Sequence, residues 1–372
     1  MTHSRRRFVT SAPAVFGGAA LWSGCSQDAG ADSYEAVAAR TWRASSPAGI
    51  EGAALSRELV RCATLAPSSH NTQCWKFALE DKAITILPDL LRRCPAVDPD
   101  DHHLFITLGC ATENLVQAAL AHGLAAEPRF DPTANAKQGA VHVALANTAA
   151  RETALYKAIP ARQSTRGDYD GTPISSAELG LLERAGTSAG VRVLLLTERS
   201  RIEQVLDHVI QGNSAQMADP AFVKELKTWI RFNGADAVRT GDGLYSAASG
   251  NPNVPNWIGE LAFSLFFTQK SENEKYARQI RSSAGIAVFA GLAADKAHWV
   301  EVGRCYERFA LQATALGIRN AMLNQPVEVP SLRPLFASAM GLAGQRPDLV
   351  VRFGRGPTLP PSLRRPVQAV LV

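Results

Sequence analysis

With 372 residues, 46% of them hydrophobic and 20% charged, the chain has ample apolar material for a buried core and too few charges for a disordered polymer. The formal net charge of +5 includes Arg5, Arg6 and Arg7 at the extreme N-terminus, and no basic run remains that reads as a nucleic-acid surface. Six scattered cysteines without a C-x-x-C pair, and an adjacent His102 and His103 outside any H-E-x-x-H setting, argue against a metal centre or a disulfide framework.

The N-terminus comes first. Ser4 to Thr10 reads SRRRFVT and is followed by a short, weakly apolar segment ending near Gly24, which resembles a twin-arginine export signal. The resemblance implies passage of a folded, cofactor-loaded protein through the twin-arginine machinery to an exported, periplasmic location. Leu21 to Cys25 (LWSGC) offers a lipid anchor at Cys25, and Ala29 to Ala31 offers a soluble cleavage site instead; both remain open, and residues 1–31 are assigned to the signal. No stretch reaches the roughly eighteen uninterrupted apolar residues of a bilayer-spanning helix.

Leu55 to Leu65 has the apolar spacing of an amphipathic helix, and a Pro-Ser-Ser turn leads from it into a hairpin over Cys74 to Leu87. Leu104 to His122 repeats at helical spacing and stops at Gly123, and Gly139 to Ala146 alternates as a strand, closing a first half over 48–149. A second half, 150–372, opens with a helix over Arg151 to Ala161. The next helix is capped at Ser175, where Glu178 completes a capping box. Strands follow at Val191 to Leu196 and Gly285 to Ala293.

An internal repeat links the halves. Gly109, Glu113 and Gly123 match Gly303, Glu307 and Gly317 at identical spacings, so helices Leu104 to His122 and Lys296 to Leu316 superpose. Between them, residues 240–257 are rich in Gly, Asn and Pro, too long and turn-prone for a plain connection, and read as a lid excursion.

Two segments carry recognisable chemistry. In LAPSSHNTQCWKF (Leu65 to Phe77), Pro67 fixes a turn, Ser68 and Ser69 offer small hydroxyls, and Asn71 presents a donor and an acceptor suited to a heteroaromatic edge. In RQSTRGDY (Arg162 to Tyr169), the Arg162 and Arg166 guanidinium forks flank the Ser164 hydroxyl, a set that suits a phosphate dianion.

The first segment resembles the APSSxNxQPW signature of the nitroreductase family, with Cys74 where that family usually has Pro. The second resembles the family's RxSxR phosphate motif. LGIRNAMLNQPVE (Leu316 to Glu328) resembles the turn that meets the flavin N5 through a backbone N–H: Pro326, Val327 and Glu328 match its PxE, and Val329 replaces a usual Gly. Arg346 to Val372 resembles the closing strand and basic tail, in which Arg364 or Arg365 would reach the phosphate.

The serine loop precedes the arginine motif, the reverse of the ordinary order, and this is similar to the Acg-type, twin-domain members. That resemblance implies an α+β fold of two tandem, pseudo-symmetric halves that mimic the nitroreductase homodimer. It also implies one complete FMN site per chain and two-electron reduction of a nitroaromatic, quinone or similar small-molecule acceptor, with the electron donor left open. A flavin-holding protein whose lid covers the reactive face is the alternative. No catalytic acid or base is assigned, and Tyr169, Tyr245 and Trp257 are aromatic candidates for the flavin's surroundings.

Overall fold

Two four-stranded antiparallel sheets carry the same strand order, and the long helices between them supply most of the shared core. The computed structural model describes residues 33–46, 49–342 and 344–372; the expected export signal and Cys25 lie outside them. The first sheet runs β1 (Trp75–Glu80), β2 (Ala83–Pro88), β4 (Ala140–Asn147), β3 (Leu124–Asp131). The second runs β5 (Val191–Leu196), β8 (Gly285–Gly291), β10 (Pro347–Gly354), β9 (Arg319–Met322). In each, a twenty-residue helix, His102–Ala121 or Lys296–Ala315, joins the second strand to the third along the chain. A two-residue parallel pair, β6 (Ile230–Arg231) with β7 (Leu244–Tyr245), stands apart from both sheets.

The long helices meet at their repeated glycines. A Cβ on Gly109 would lie 1.9 Å from the Val300 carbonyl oxygen, and one on Gly303 would lie 1.9 Å from that of Ile106. Val300 precedes Gly303 by three residues, as Ile106 precedes Gly109, so the contact is reciprocal: each backbone sits in the groove that the other helix leaves by having no side chain. Around this crossing Phe289 packs edge-on against Tyr306 and Phe309, with ring centroids 5.9 and 5.5 Å away. The helix His102–Ala121 is apolar and long enough to cross a membrane by composition, but 83% of its most apolar window is buried against the rest of the protein.

Several expected elements change length or were not foreseen. Pro160 limits the helix foreseen over Arg151 to Ala161 to Ala154–Ala158 and a single 3-10 turn, Ile159–Ala161, because proline removes a donor and crowds the preceding turn. β3 carries Pro128, which is tolerated because that strand lies at the sheet edge. The capping box at Ser175 and Glu178 forms as read.

Two chain segments run along edge strands of the sheets. The C-terminal tail lies beside β1, where Phe77 N–H donates to Val370 O at 2.8 Å and Val372 N–H to Phe77 O at 3.0 Å. The segment after Arg162 lies beside β9, with Thr165 N–H on Asn320 O at 2.9 Å. Each covers an exposed sheet edge, and each carries a pair of the arginines singled out in the sequence to the same place.

Candidate functional site

The serine loop is held in an unusual backbone shape. His70, Asn71 and Gln73 all have positive φ, at 47°, 53° and 55°, a region that non-glycine residues enter at a cost and that recurs at functional sites. Side-chain bonds hold it there. Ser68 Oγ accepts from Gln73 N–H at 2.9 Å, and Gln73 Nε2 donates to Gly241 O at 2.8 Å. Asn71 Nδ2 donates to Gly243 O at 3.0 Å and to Leu363 O at 3.1 Å, and its Oδ1 accepts from Arg364 Nη1 at 2.9 Å. The Asn71 amide, expected to face a heteroaromatic edge, is therefore spent on tying the loop to the excursion and the tail.

Arg364 and Arg365 are also engaged by the protein. Arg364 donates to Thr64 O at 2.6 Å, Leu65 O at 3.1 Å and Ala66 O at 3.0 Å, capping the carbonyl end of helix Gly52–Thr64, where a cation is favourable. Burial pushes its pKa down, with Arg162 adding to the effect. Arg365 donates to Gln73 O at 2.6 Å.

Arg162 and Arg166 differ from them. Arg162 is buried, donates through Nη2 to Leu65 O at 2.8 Å, and has its Nε 3.1 Å from Glu307 Oε1. That ion pair lacks hydrogen-bond geometry, and Arg162 Nη1 has no partner. The Arg166 guanidinium makes no hydrogen bond or ion pair among the described residues; burial lowers its pKa, and only the phenols of Tyr276, Tyr306 and Tyr169 offset this. His70, beside Arg166, is pushed down to about 4 by burial and by that guanidinium, and its Nε2 has no partner.

These groups line a cavity of about 700 Å³, within the range of small-molecule and cofactor sites. Pro67, Ser68, Ser69, Ser164, Arg166 and Glu328 are on its wall. A recess of about 50 Å³ shares Pro67, Ser68, Ser164 and Arg166 with it and adds Asn71, Arg162 and Arg364. The remaining wall is largely apolar, from Ile106 and Leu349 to Phe263 and Phe266 of helix Asn256–Phe266.

Of the twelve residues singled out in the sequence, Pro326, Val327 and Arg365 line neither space. Val327 packs into the core of the second sheet. The amides of Val327 and Glu328 donate to Asn324 O at 2.9 and 2.8 Å, so the backbone donor expected there is already used in a helical turn. Tyr169, Tyr245 and Trp257 are absent from the wall as well. Tyr169 lies under the Arg352 guanidinium at 4.1 Å, Tyr245 packs on Tyr34 at 4.7 Å, and Trp257 is 71% exposed. From the excursion, Leu244, Ser246, Ser249, Asn251, Pro252 and Val254 face the cavity instead.

Wall residues that the sequence did not suggest come from helices. His103, Thr107 and Cys110 follow one another on the first long helix, and Gln216 lies on helix Arg199–Met217. Ile202, Val205, Leu206 and Val209 are buried at helical spacing, a signal that could have located that helix. Asp98, His102 and His103 cluster closely enough to suggest a metal site, but both Asp98 oxygens accept backbone N–H groups, of His103 at 3.0 Å and Leu104 at 2.9 Å. His102 Nε2 is taken by Asp348 Oδ1 at 2.7 Å.

Paired four-stranded sheets with crossed long helices, and a cavity that has the serine loop and Arg166 on its wall, define an α+β protein with a single large candidate site among the described residues. No family model matches the chain, but similarity to curated proteins runs through most of it. A Mycobacterium tuberculosis (strain H37Rv) protein provisionally named an NAD(P)H nitroreductase is 25% identical over 323 residues, 85% of this chain and 90% of its own length. Another from the same strain, provisionally named NAD(P)H nitroreductase Acg, is 22% identical over 329 residues, 84% of this chain and 94% of its own. Among solved structures, an FMN-bound nitroreductase from Desulfitobacterium hafniense matches 58% of this chain and 96% of its own at 16% identity and a TM-score of 0.37. The chain is thus similar, over most of its length, to proteins named as nitroreductases, Acg among them.

Proposed function

We propose that the chain is an FMN-dependent oxidoreductase that takes two electrons from a nicotinamide donor and passes them to a small electron-poor acceptor such as a nitroaromatic or quinone. The observation that carries this is the unpaired Arg166 guanidinium beside Arg162 Nη1 at one end of a cavity whose other walls are mostly apolar. A buried cationic group without a counter-ion is costly, and a phosphate dianion would supply the missing charge and hydrogen bonds.

In this assignment Arg162, Ser164 and Arg166 bind the phosphate, and the Ser68 and Ser69 hydroxyls lie on the wall next to it. The bound flavin supplies hydride acceptance and donation, and the protein positions it and excludes water. We further assign residues 48–149 and 150–372 to two halves that together reproduce the family's dimer, with residues 240–257 as part of a cover. The leader would direct export, with Cys25 as a potential lipid attachment point. The names of the curated relatives, which specify NAD(P)H, support turnover over mere flavin storage.

Release of flavin from the purified protein is expected to give one FMN per chain, followed by bleaching of its absorbance on anaerobic mixing with NADH or NADPH. Two flavins per chain would contradict the single complementary set of motifs, and a colourless protein that takes up no FMN would refute the assignment.

A further inference from the structure

The cavity wall also holds an ionisable pair, Glu328 and His103. Glu328 ends the short helix Gln325–Glu328, and His103 stands in the first turn of the long helix His102–Ala121; both line the cavity. His103 Nδ1 is 3.8 Å from Glu328 Oε1. Glu328 Oε2 accepts from Gln216 Nε2 at 2.7 Å, which fixes the carboxyl plane.

The histidine's other nitrogen decides the protonation. His103 Nε2 is 3.2 Å from the Asp348 carbonyl oxygen, which can only accept, so Nε2 carries hydrogen. In the neutral ring Nδ1 then presents a lone pair to Glu328. A lone pair and a carboxylate facing each other at 3.8 Å repel, which favours the protonated Glu328 carboxyl. Burial raises the Glu328 pKa above its ordinary value, and this outweighs the opposing effect of His103. The other groups facing Glu328 are Asp98, which raises it, and Arg333, which lowers it; Tyr276 and Cys94 also feel its charge. Behind His103 stand His102 and Asp348.

We propose that Glu328, paired with His103, is the proton donor to the acceptor reduced in this cavity, an assignment that rests on the function proposed above. A quinone that takes hydride on one oxygen is left with an anionic second oxygen. The Glu328 O–H bond breaks, an O–H bond forms on that oxygen, and the two electrons come from the reduced flavin, so the protein itself is neither oxidised nor reduced. Water entering after product release reprotonates the carboxylate. His103 is a positioning residue that keeps the proton on the pair.

The test uses the full chain loaded with FMN. Flavin content is measured first, and failure to bind FMN overturns both this assignment and the proposed function. With flavin bound, the reduced protein is mixed with a water-soluble benzoquinone from pH 5 to 9 and reoxidation is followed by absorbance. Glu328→Gln, which keeps the bond to Gln216, is expected to react about 100-fold more slowly, the scale of general-acid catalysis, and to lose the alkaline fall in rate. Glu328→Asp should recover part of the rate, and His103→Gln should move the alkaline limb. Independently of turnover, the infrared spectrum of the resting protein should contain a protonated-carboxyl band, sensitive to deuterium, that Glu328→Gln removes. Wild-type rates and pH dependence in a flavin-loaded Glu328→Gln protein, or no such band, would overturn the proton donor and leave the flavin assignment intact. If Glu328→Gln does not fold, the pH profiles of the aspartate and His103 variants decide in the same way.

Discussion

Glu113 and Glu307 occupy equivalent places on the two long helices, four residues after the crossing glycines, yet their surroundings are opposite. Glu113 Oε2 accepts from Arg308 Nη1 at 2.9 Å and Arg304 Nε at 3.3 Å, and its Oε1 accepts from Gln117 at 2.9 Å. The residues related to Arg304 and Arg308 by the repeat are Cys110 and Asn114, and these stand on the Glu307 side. With no arginine from the facing helix, Glu307 has Arg162 as its one ion-pair partner among the described residues, and burial pushes its pKa up to about 7. Cys110 lines the cavity. One side of the helix crossing is closed by its own arginines; the other has Cys110 and Asn114 in their place and opens into the site.

The crossing itself is the symmetric part, and its disruption should have the largest effect. Gly109→Ala and Gly303→Ala each put a methyl group into a backbone carbonyl at 1.9 Å, which relaxation can relieve only by separating the helices. Each is expected to destabilise by roughly 3 kcal/mol, the upper end of overpacking costs, as a loss in urea midpoint at unchanged slope. Because the contact is reciprocal, the two losses should agree; a tolerant Gly303→Ala beside a severe Gly109→Ala would break the equivalence.

Next in size is the open side alone. Arg162→Ala or Arg166→Ala is expected to weaken FMN binding by about 1.5–3 kcal/mol, the scale of a hydrogen bond to a charged group, as measured by flavin fluorescence titration. Alanine at Arg304 or Arg308, on the closed side, should leave that affinity unchanged. Unaltered flavin retention in both Arg162 and Arg166 variants would remove the phosphate assignment.

How legible this was depended on how local the signals were. The repeat of glycines and glutamates, the capping box at Ser175 and the Pro-Ser-Ser loop are short-range patterns, and the serine loop and the arginine motif come together in space. The partners of each polar side chain were not legible. Asn71 and Arg364 look like ligand groups in sequence, but distant carbonyls at Gly243, Leu363 and Leu65 claim them. Nothing local marks His103 and Glu328 as neighbours, because five strands of the two four-stranded sheets, β3, β4, β5, β8 and β9, and helix Arg199–Met217 intervene along the chain. The excursion contains β7 and a 3-10 turn, Ser246–Ser249, although its glycines and prolines argue against regular structure.

The smallest expected effect is the sharpest test of the asymmetry, because it separates the two glutamates by ligand and by pH. Glu307 competes with a phosphate for Arg162, so Glu307→Gln should tighten FMN binding by roughly 1 kcal/mol, about the net worth of one hydrogen bond. The pH dependence has a definite sign. A carboxyl raised from 4.5 to about 7 in the folded state holds a proton that the unfolded chain releases, so its contribution to stability is present below 4.5 and is lost as pH rises through about 7. Thermal unfolding of the flavin-free protein from pH 4 to 8 should therefore show a fall in stability that Glu307→Gln flattens. Glu113→Gln removes one of the two carboxylates that Arg304 and Arg308 share, leaving Glu301, and should destabilise the protein without changing FMN affinity. Equal changes in FMN affinity for the two glutamine variants would mean that the open side owes nothing to the exchange of Arg304 and Arg308 for Cys110 and Asn114.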